Sequence, residues 1–152
     1  MIADMGKTVW HQFSGESSVV GTRGVCGCIG IAIIGQTGAV VSHISPAAGQ
    51  ALLAQLQNTK TVFDRNLKNK GALLSALMWY PSDFAGILKN FPEDIEKGVK
   101  IMLGHDVDEY SYERTENERD TLSDGPDGAK YGTMVISKEG GDPEVFLNDH
   151  KV

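Results

Sequence analysis

Two apolar segments, separated by a short turn that contains glycine, constrain this chain more than any other feature. The first segment runs from Ile29 to Ile34 and the second from Ala39 to Ser45, with Gly35-Gln36-Thr37-Gly38 between them. Two such runs joined by a short turn predict a β-hairpin. Because the hydrophobicity is nearly continuous and does not alternate, we predict strands that are buried on both faces.

The pattern around this hairpin predicts an α+β fold. A helix with an apolar stripe at Ala48, Leu52 and Leu56, and with Leu53 alongside, follows Pro46. In chain order we expect a strand near Val19, the hairpin, this helix, a strand over 72–81, two helices over 82–104, an exposed strand near Tyr110 and a closing pair of strands over 131–149. That order predicts a layered, largely antiparallel sheet core in which helices pack on the buried hairpin.

Length and charge limit the class of protein. The 152 residues predict one domain, 1–152, that is large enough to bury a core. The net charge of −6 argues against nucleic acid and against a polybasic membrane surface as partners. No apolar run is long enough for a membrane span, so we expect a soluble, acidic protein. Residues 1–18 lack the apolar centre of a signal peptide, which predicts a cytoplasmic protein or a secreted one whose leader has been removed.

The cysteines are the most informative chemical groups. Cys26 and Cys28 are the chain's two cysteines and are too close together to form a disulfide scaffold. Cys28 begins the first strand of the predicted hairpin, and His43 lies near the end of the second. With the turn centred near Gln36, the two side chains are predicted to face each other across the strands. A thiol beside an imidazole is the minimum set of groups for thiol catalysis.

Other interpretations of these residues remain open. Unpaired cysteines are often core residues that only fill space, and a single histidine on a strand is commonly one too. Cys26, Cys28 and His43 could hold a soft metal, but no fourth ligand is visible, so we predict no metal. The glycines around Cys28 precede a strand and not a helix, so they form no nucleotide-binding motif and we expect no cofactor.

For two further groups of residues we favour a structural role over a role in binding a ligand. The acidic cluster after residue 104 has no calcium-loop spacing, which indicates a solvated loop; its members are His105, Asp106, Asp108 and Glu109. Three large aromatic side chains could line a groove but are typical of a core: Trp10, Trp79 and Tyr80.

The segment from Thr22 to Pro46 resembles the core motif of the glutamine deamidase fold. The resemblance consists of Gly27-Cys28, an apolar strand, Gly38-Ala39 and then His43-Ile44-Ser45-Pro46. This fold is shared by the chemotaxis deamidase CheD and the catalytic domain of cytotoxic necrotizing factor, and fungal domains of similar form carry the same Gly-Cys, Gly-Ala and His order. Thr22 stands six residues before Cys28, as a threonine does in CheD.

The resemblance covers about a sixth of the chain and is closer to one branch of the family than to the other. The 15-residue step from Cys28 to His43 fits the necrotizing-factor type, whereas CheD has two more residues there. Cys26 stands where CheD has a glycine.

The resemblance implies hydrolysis of a protein glutamine side chain through a thioester. Cys28 would be the nucleophile, and the backbone N–H groups of Gly27 and Cys28 would hold the oxyanion. His43 would protonate the departing ammonia and then activate water. Thr22 would accept a hydrogen bond from His43 and fix its tautomer, a role that Ser45 could also take.

Two other functions remain open from the sequence. One is a non-catalytic protein-binding module that retains the fold, with the acidic C-terminal third meeting a basic partner. The other is a thiol peptidase that uses the same cysteine and histidine. The sequence does not fix the oligomeric state.

Overall fold

The computed structural model describes residues 1–25, 27–45, 50–70, 73–81, 97, 100, 104, 106–112 and 132–152. Within these ranges the chain is a mixed α+β structure that contains two five-stranded sheets and one long helix. The elements are β1 (Ile2–Ala3), β2 (Thr8–Gln12), β3 (Ser17–Thr22), β4 (Ile29–Gly35), β5 (Gly38–Ile44), α1 (Gln50–Asn66), β6 (Leu73–Pro81), β7 (Asp108–Tyr112), β8 (Met134–Glu139), β9 (Glu144–Leu147) and β10 (His150–Lys151).

The strands form two sheets of mainly antiparallel order. The first sheet has the order β1-β3-β8-β9-β10 and the second has the order β2-β5-β4-β6-β7. Among the described pairs, only β1–β3 and β6–β7 run parallel. The prediction of an α+β fold with largely antiparallel strands is therefore confirmed for the fold class and the direction of the strands.

The apolar hairpin occupies the centre of the second sheet. β4 and β5 pair antiparallel, and all seven residues of each strand are buried, as the continuous hydrophobicity predicts. Both faces are covered because each face contributes to a different core. One face packs against the first sheet and the other packs against α1.

We call the two cores the inter-sheet core and the helix-side core. The inter-sheet core joins both sheets and contains Ala3, Val20, Val25, Cys28, Ala32, Ile34, Ala39, Val41, Leu77, Trp79, Met134, Ile136, Val145 and Leu147. The helix-side core lies on the opposite face of the second sheet and contains Ile29, Ile31, Ile33, Val40, Ile44, Phe63, Leu67, Ala76, Met78 and Val107. The alternation of odd and even residues along β4 assigns its side chains to one core or the other.

The helix contacts the sheet through part of the predicted stripe and through residues beyond it. Leu52 and Leu56 are half-buried against the helix-side core, but Leu53 is 64% exposed. The helix continues to Asn66 and buries Phe63, which lies beyond the apolar stretch that marked the helix in the sequence. Pro46 and Ala48 lie outside the described residues.

Three hydroxyl groups connect the helix to the second sheet. Ser42 Oγ lies 2.8 Å from both Thr8 Oγ1 and Thr59 Oγ1, and Thr59 Oγ1 donates to the carbonyl of Gln55 at 3.0 Å. Ser42 and Thr59 are fully buried. Because each buried hydroxyl has a hydrogen-bond partner, the cluster carries little desolvation penalty and fixes α1 against β2 and β5.

The other predicted elements are found in part. The strand over 72–81 appears as β6, the exposed strand as β7, and the closing pair as β8 and β9. The short strands β1, β2 and β10 were not predicted. Of the two helices predicted over 82–104, only Lys97, Lys100 and Gly104 are described; Gly104 has φ +61° and its N–H donates to the Lys100 carbonyl, as expected at a helix end.

No helix in the described ranges has both the length and the apolar character that a membrane crossing requires.

Candidate active site

The hairpin register differs from the predicted one by two residues. His43 pairs with Gly30, and Ile44 pairs with Ile29, because the strands are joined by the two-residue turn Gln36-Thr37. Cys28 lies one residue before β4, so the hairpin carries the histidine but not the cysteine. The prediction that the two side chains are directly opposite is therefore wrong.

A shift of two residues keeps each side chain on its original face. Cys28 belongs to the inter-sheet core, and His43 shares its face of β5 with Ala39 and Val41 of that same core. Cys28 precedes Ile29, the first paired residue of β4, so strand pairing does not set its distance from His43, whose partner is Gly30. The Met134 side chain lies over Gly30 on this side of the sheet.

The Thr22 hydroxyl determines the tautomer of His43. Thr22 Oγ1 lies 2.7 Å from the Ala3 carbonyl and 2.8 Å from His43 Nδ1. A carbonyl oxygen can only accept, so the hydroxyl proton goes to Ala3, and Nδ1–H must donate to the hydroxyl oxygen. In the neutral ring this assignment leaves Nε2 without a proton and with its lone pair available.

The lone pair of His43 Nε2 is buried and accepts no hydrogen bond from the described residues. His43 is 2% exposed, and Nε2 has no hydrogen-bond partner among the described residues. Leaving a buried acceptor unsatisfied costs about 1–3 kcal/mol. His11 Nε2 is in the same state, and a catalytic role is one of several explanations for such groups. The geometry therefore presents Nε2 as a proton acceptor in the inter-sheet core.

The backbone of His43 is held on both sides by the connection between β1 and β2. His43 N–H donates to the Lys7 carbonyl at 3.0 Å, and Gly6 N–H donates to the His43 carbonyl at 2.7 Å. Burial lowers the pKa of His43 below its ordinary value of 6.5, while a hydrogen bond to the Ala3 backbone and the charge of Asp4 act in the opposite direction. The ring is therefore neutral at neutral pH, as a general base must be.

The lowered pKa of His43 predicts a pH dependence of stability. The unfolded chain takes up a proton at this histidine near its ordinary pKa of 6.5, before the folded chain does. The free energy of unfolding should therefore be greatest above about pH 6.5 and fall as the pH drops towards the folded pKa. Urea unfolding of the wild type and of His43→Asn, between about pH 5 and about pH 7.5, measures this contribution as a difference.

Asn is the matched replacement because its side-chain N–H₂ can still donate to Thr22 while the titrating ring is removed. We expect the wild type to lose stability more steeply than the variant as the pH falls. Parallel curves for the two proteins would contradict the assignment.

The thiol of Cys28 is covered by the inter-sheet core. Cys28 is 3% exposed, and the Met134 side chain lies over the neighbouring Gly30, where an added Cβ would stand 3.2 Å from Met134 Cε. Met134 pairs with Thr22 in the first sheet, so it reaches over this part of the second sheet from across the core. Contact between a substrate and the Cys28 sulfur therefore requires a local opening of this packing.

Tyr112 is a site residue that the sequence analysis did not identify. Its hydroxyl accepts a hydrogen bond from Gly27 N–H at 2.9 Å and donates to the Cys28 carbonyl at 2.8 Å. The resemblance implies that Gly27 N–H is an oxyanion donor. While Gly27 N–H donates to Tyr112, it cannot donate to an oxyanion. No local pattern could have revealed the contact, since 85 residues separate Tyr112 from Gly27.

The remaining candidates lie apart from this arrangement or outside the described residues. Ser45 is bound through its backbone, since its N–H donates to Gln55 Oε1 at 2.7 Å. Cys26 and His105 are outside the described residues, and the described members of the acidic cluster, Asp106, Asp108 and Glu109, are exposed. Within the described ranges, no three His, Cys, Asp or Glu side chains are grouped closely enough to hold a metal ion.

The aromatic candidates contribute to packing. Trp79 is buried in the inter-sheet core, whereas Trp10 and Tyr80 are half-buried against the helix-side core. These positions agree with the structural interpretation given above.

A cavity of about 680 Å³ lies away from the cysteine and the histidine. It is bordered by residues of β6 to β10, including Leu77, Tyr110 and Phe146, and by the turn between β8 and β9. Neither Cys28 nor His43 lines it, so it does not provide access to the thiol.

Comparisons with known proteins identify no relative of this chain. No protein-family model, no curated protein and no solved structure gives a significant match.

Proposed function

We propose that this protein is a cysteine-dependent amidohydrolase that deamidates glutamine side chains of proteins. The observation that carries the proposal is the state of His43: its Nδ1–H is bound by Thr22, and its buried Nε2 is unpartnered among the described residues. Cys28 belongs to the inter-sheet core, which the face of β5 that carries His43 also borders. The choice of glutamine rests on the resemblance of the segment from Thr22 to Pro46 to the glutamine deamidase fold, and the assignment to that fold is part of the proposal.

The first half of the reaction uses both side chains. The Cys28 sulfur attacks the carboxamide carbon of the substrate while its proton passes to His43 Nε2. Collapse of the tetrahedral intermediate breaks the C–N bond, and the imidazolium donates its proton to the departing ammonia. The product of this half is a thioester between Cys28 and the substrate.

The second half regenerates the enzyme. Water attacks the thioester while His43 Nε2 takes one proton from it, and the C–S bond breaks to release the glutamate side chain. The proton then returns to the thiolate. Throughout both halves Thr22 holds Nδ1–H, which keeps Nε2 as the atom that exchanges protons and supports the charge on the ring. The oxyanion donors that the resemblance implies are the N–H groups of Gly27 and Cys28, and Tyr112 holds the first of them.

A non-catalytic binding module is the second candidate, and one observation favours it. Cys28 is buried among apolar side chains, which is the ordinary environment of a structural cysteine. In that case Cys28 and His43 are packing residues, and apolar replacements at both positions would leave partner binding unchanged. The unsatisfied Nε2 favours the enzyme, because an apolar side chain at position 43 would avoid its cost.

The proposal is tested by incubating the full-length chain with a blocked glutaminyl-glycine dipeptide and with a denatured protein rich in glutamine. We expect release of ammonia and conversion of glutamine to glutamate, detected by mass spectrometry in peptides that remain uncut. The asparaginyl-glycine dipeptide is the matched control. Peptide fragments without ammonia would indicate a thiol peptidase, and the absence of both products would contradict an amide hydrolase.

A further inference from the structure

One hydroxyl group contacts the backbone before and after the proposed nucleophile. Tyr112 Oη accepts from Gly27 N–H and donates to the Cys28 carbonyl, so it joins the peptide group before Gly27 to the peptide group after Cys28. Both bonds have normal lengths, 2.9 and 2.8 Å, and together they use the hydroxyl as both acceptor and donor. The tyrosine thereby restricts the backbone dihedral angles of residues 27 and 28.

Cys28 needs such a restraint because the sheet does not supply one. The β4 ladder begins at Ile29, with Ile29 paired to Ile44, so Cys28 lies just outside the regular hydrogen-bonded strand. Gly27 has φ +78°, a left-handed conformation that places a sharp change of direction immediately before the cysteine. The direction of the Cys28 side chain therefore depends on contacts from elsewhere in the fold.

Tyr112 is itself held firmly enough to supply this contact. It is the last residue of β7 and pairs with Pro81 at the end of β6 in a parallel ladder. Its ring packs against Trp79, with the centroids 4.8 Å apart and a tilt of 55°. Trp79 is buried in the inter-sheet core and pairs with Gly30 of β4. The hydroxyl is thus fixed relative to the strand that follows Cys28.

From this arrangement we propose that Tyr112 is the positioning residue for Cys28, holding its thiol in the orientation in which it reaches His43 Nε2. The inference rests on the proposed function, because it assigns the bridge a role in amide hydrolysis. Tyr112 acts through the backbone and does not touch the reacting atoms. Its loss should lower the rate of the chemical step without weakening substrate binding.

The test compares Tyr112→Phe with Tyr110→Phe in the full-length chain. Tyr110 is the matched control because it lies on the same strand, is half-buried and packs against the same core. Phe keeps the ring against Trp79, so the fold is retained, and circular dichroism checks this. The measurements are kcat and KM for ammonia release from the glutaminyl-glycine dipeptide, together with the hydrogen exchange rate of Gly27 N–H measured by NMR.

For Tyr112→Phe we expect kcat to fall roughly 10- to 100-fold and KM to stay within about twofold of the wild type. Exchange at Gly27 N–H should become faster, whereas Tyr110→Phe should change none of these values. An unchanged kcat in folded Tyr112→Phe would overturn the positioning role while leaving the proposed function intact. A wild-type protein that releases no ammonia would overturn the proposed function, and faster exchange at Gly27 would then identify Tyr112 as a structural tether only.

Discussion

Replacement of Cys28 with Ser is expected to lower the rate of ammonia release by about a thousandfold or more. The thiolate is the nucleophile, and a serine hydroxyl gives up its proton far less readily to a single neutral imidazole. The measurement is ammonia release from the glutaminyl-glycine dipeptide under conditions in which the variant is folded. Cys26→Ser is the matched control, because it makes the same chemical change two residues away and should leave the rate nearly unchanged.

The buried position of Cys28 requires a second variant. A serine hydroxyl in the inter-sheet core costs about 1–3 kcal/mol if it finds no partner, and this could lower activity through unfolding. Cys28→Ala removes the sulfur without adding a polar group and should be equally inactive. Activity in either folded variant, or equal losses in Cys26→Ser, would contradict Cys28 as the nucleophile.

A large loss of stability is expected for Gly21→Ala. Gly21 lies in β3 between β1 and β8, and a Cβ there would stand 2.3 Å from the Met134 carbonyl oxygen and 3.1 Å from Val135 Cα. Both atoms belong to the backbone of β8 and cannot rotate away. We expect the free energy of unfolding to fall by about 3 kcal/mol or more, measured by urea denaturation.

Gly141→Ala is the control for this prediction because an added Cβ there meets no atom within 4 Å. We expect a change of no more than about 0.5 kcal/mol for it. Since Thr22 follows Gly21 directly, separation of β3 from β8 should also disturb the hydrogen bond to His43. Equal unfolding midpoints for the two alanine variants would show that β3 and β8 are not packed as described.

The parts of the fold that the sequence predicts are those that local hydrophobicity determines. β4, β5, β6, β8 and β9 were recognisable because continuous or alternating apolar residues mark strands that face a core. β1 and β10 have only two residues each, and their pairing depends on distant strands. The helix continues beyond its apolar stretch, where Val62 and Phe63, and Leu67 directly after the helix, pack in or against the helix-side core.

The sequence suffices to nominate the residues of the candidate site but not to predict how they are arranged. Cys28, His43 and Thr22 could be named from residue type and spacing, and the contact between Thr22 and His43 is present in the structure. The register was not predictable, since displacing the centre of the turn by one residue shifts the pairing by two residues and leaves every side chain on the same face. Tyr112 could not be found because its contact with Gly27 depends on the complete second sheet.

Native-state alkylation of Cys28 tests the central claim most directly, because it needs no substrate. The rate of reaction with iodoacetamide is measured in a Cys26→Ser background, with His43 intact and with His43→Asn. If His43 Nε2 draws the proton from the Cys28 thiol, Cys28 should be modified in the folded protein, and the rate near neutral pH should fall about tenfold or more in the His43 variant. A thiol that stays unmodified until the protein unfolds, or that reacts equally fast without the imidazole, would contradict a Cys28–His43 active site.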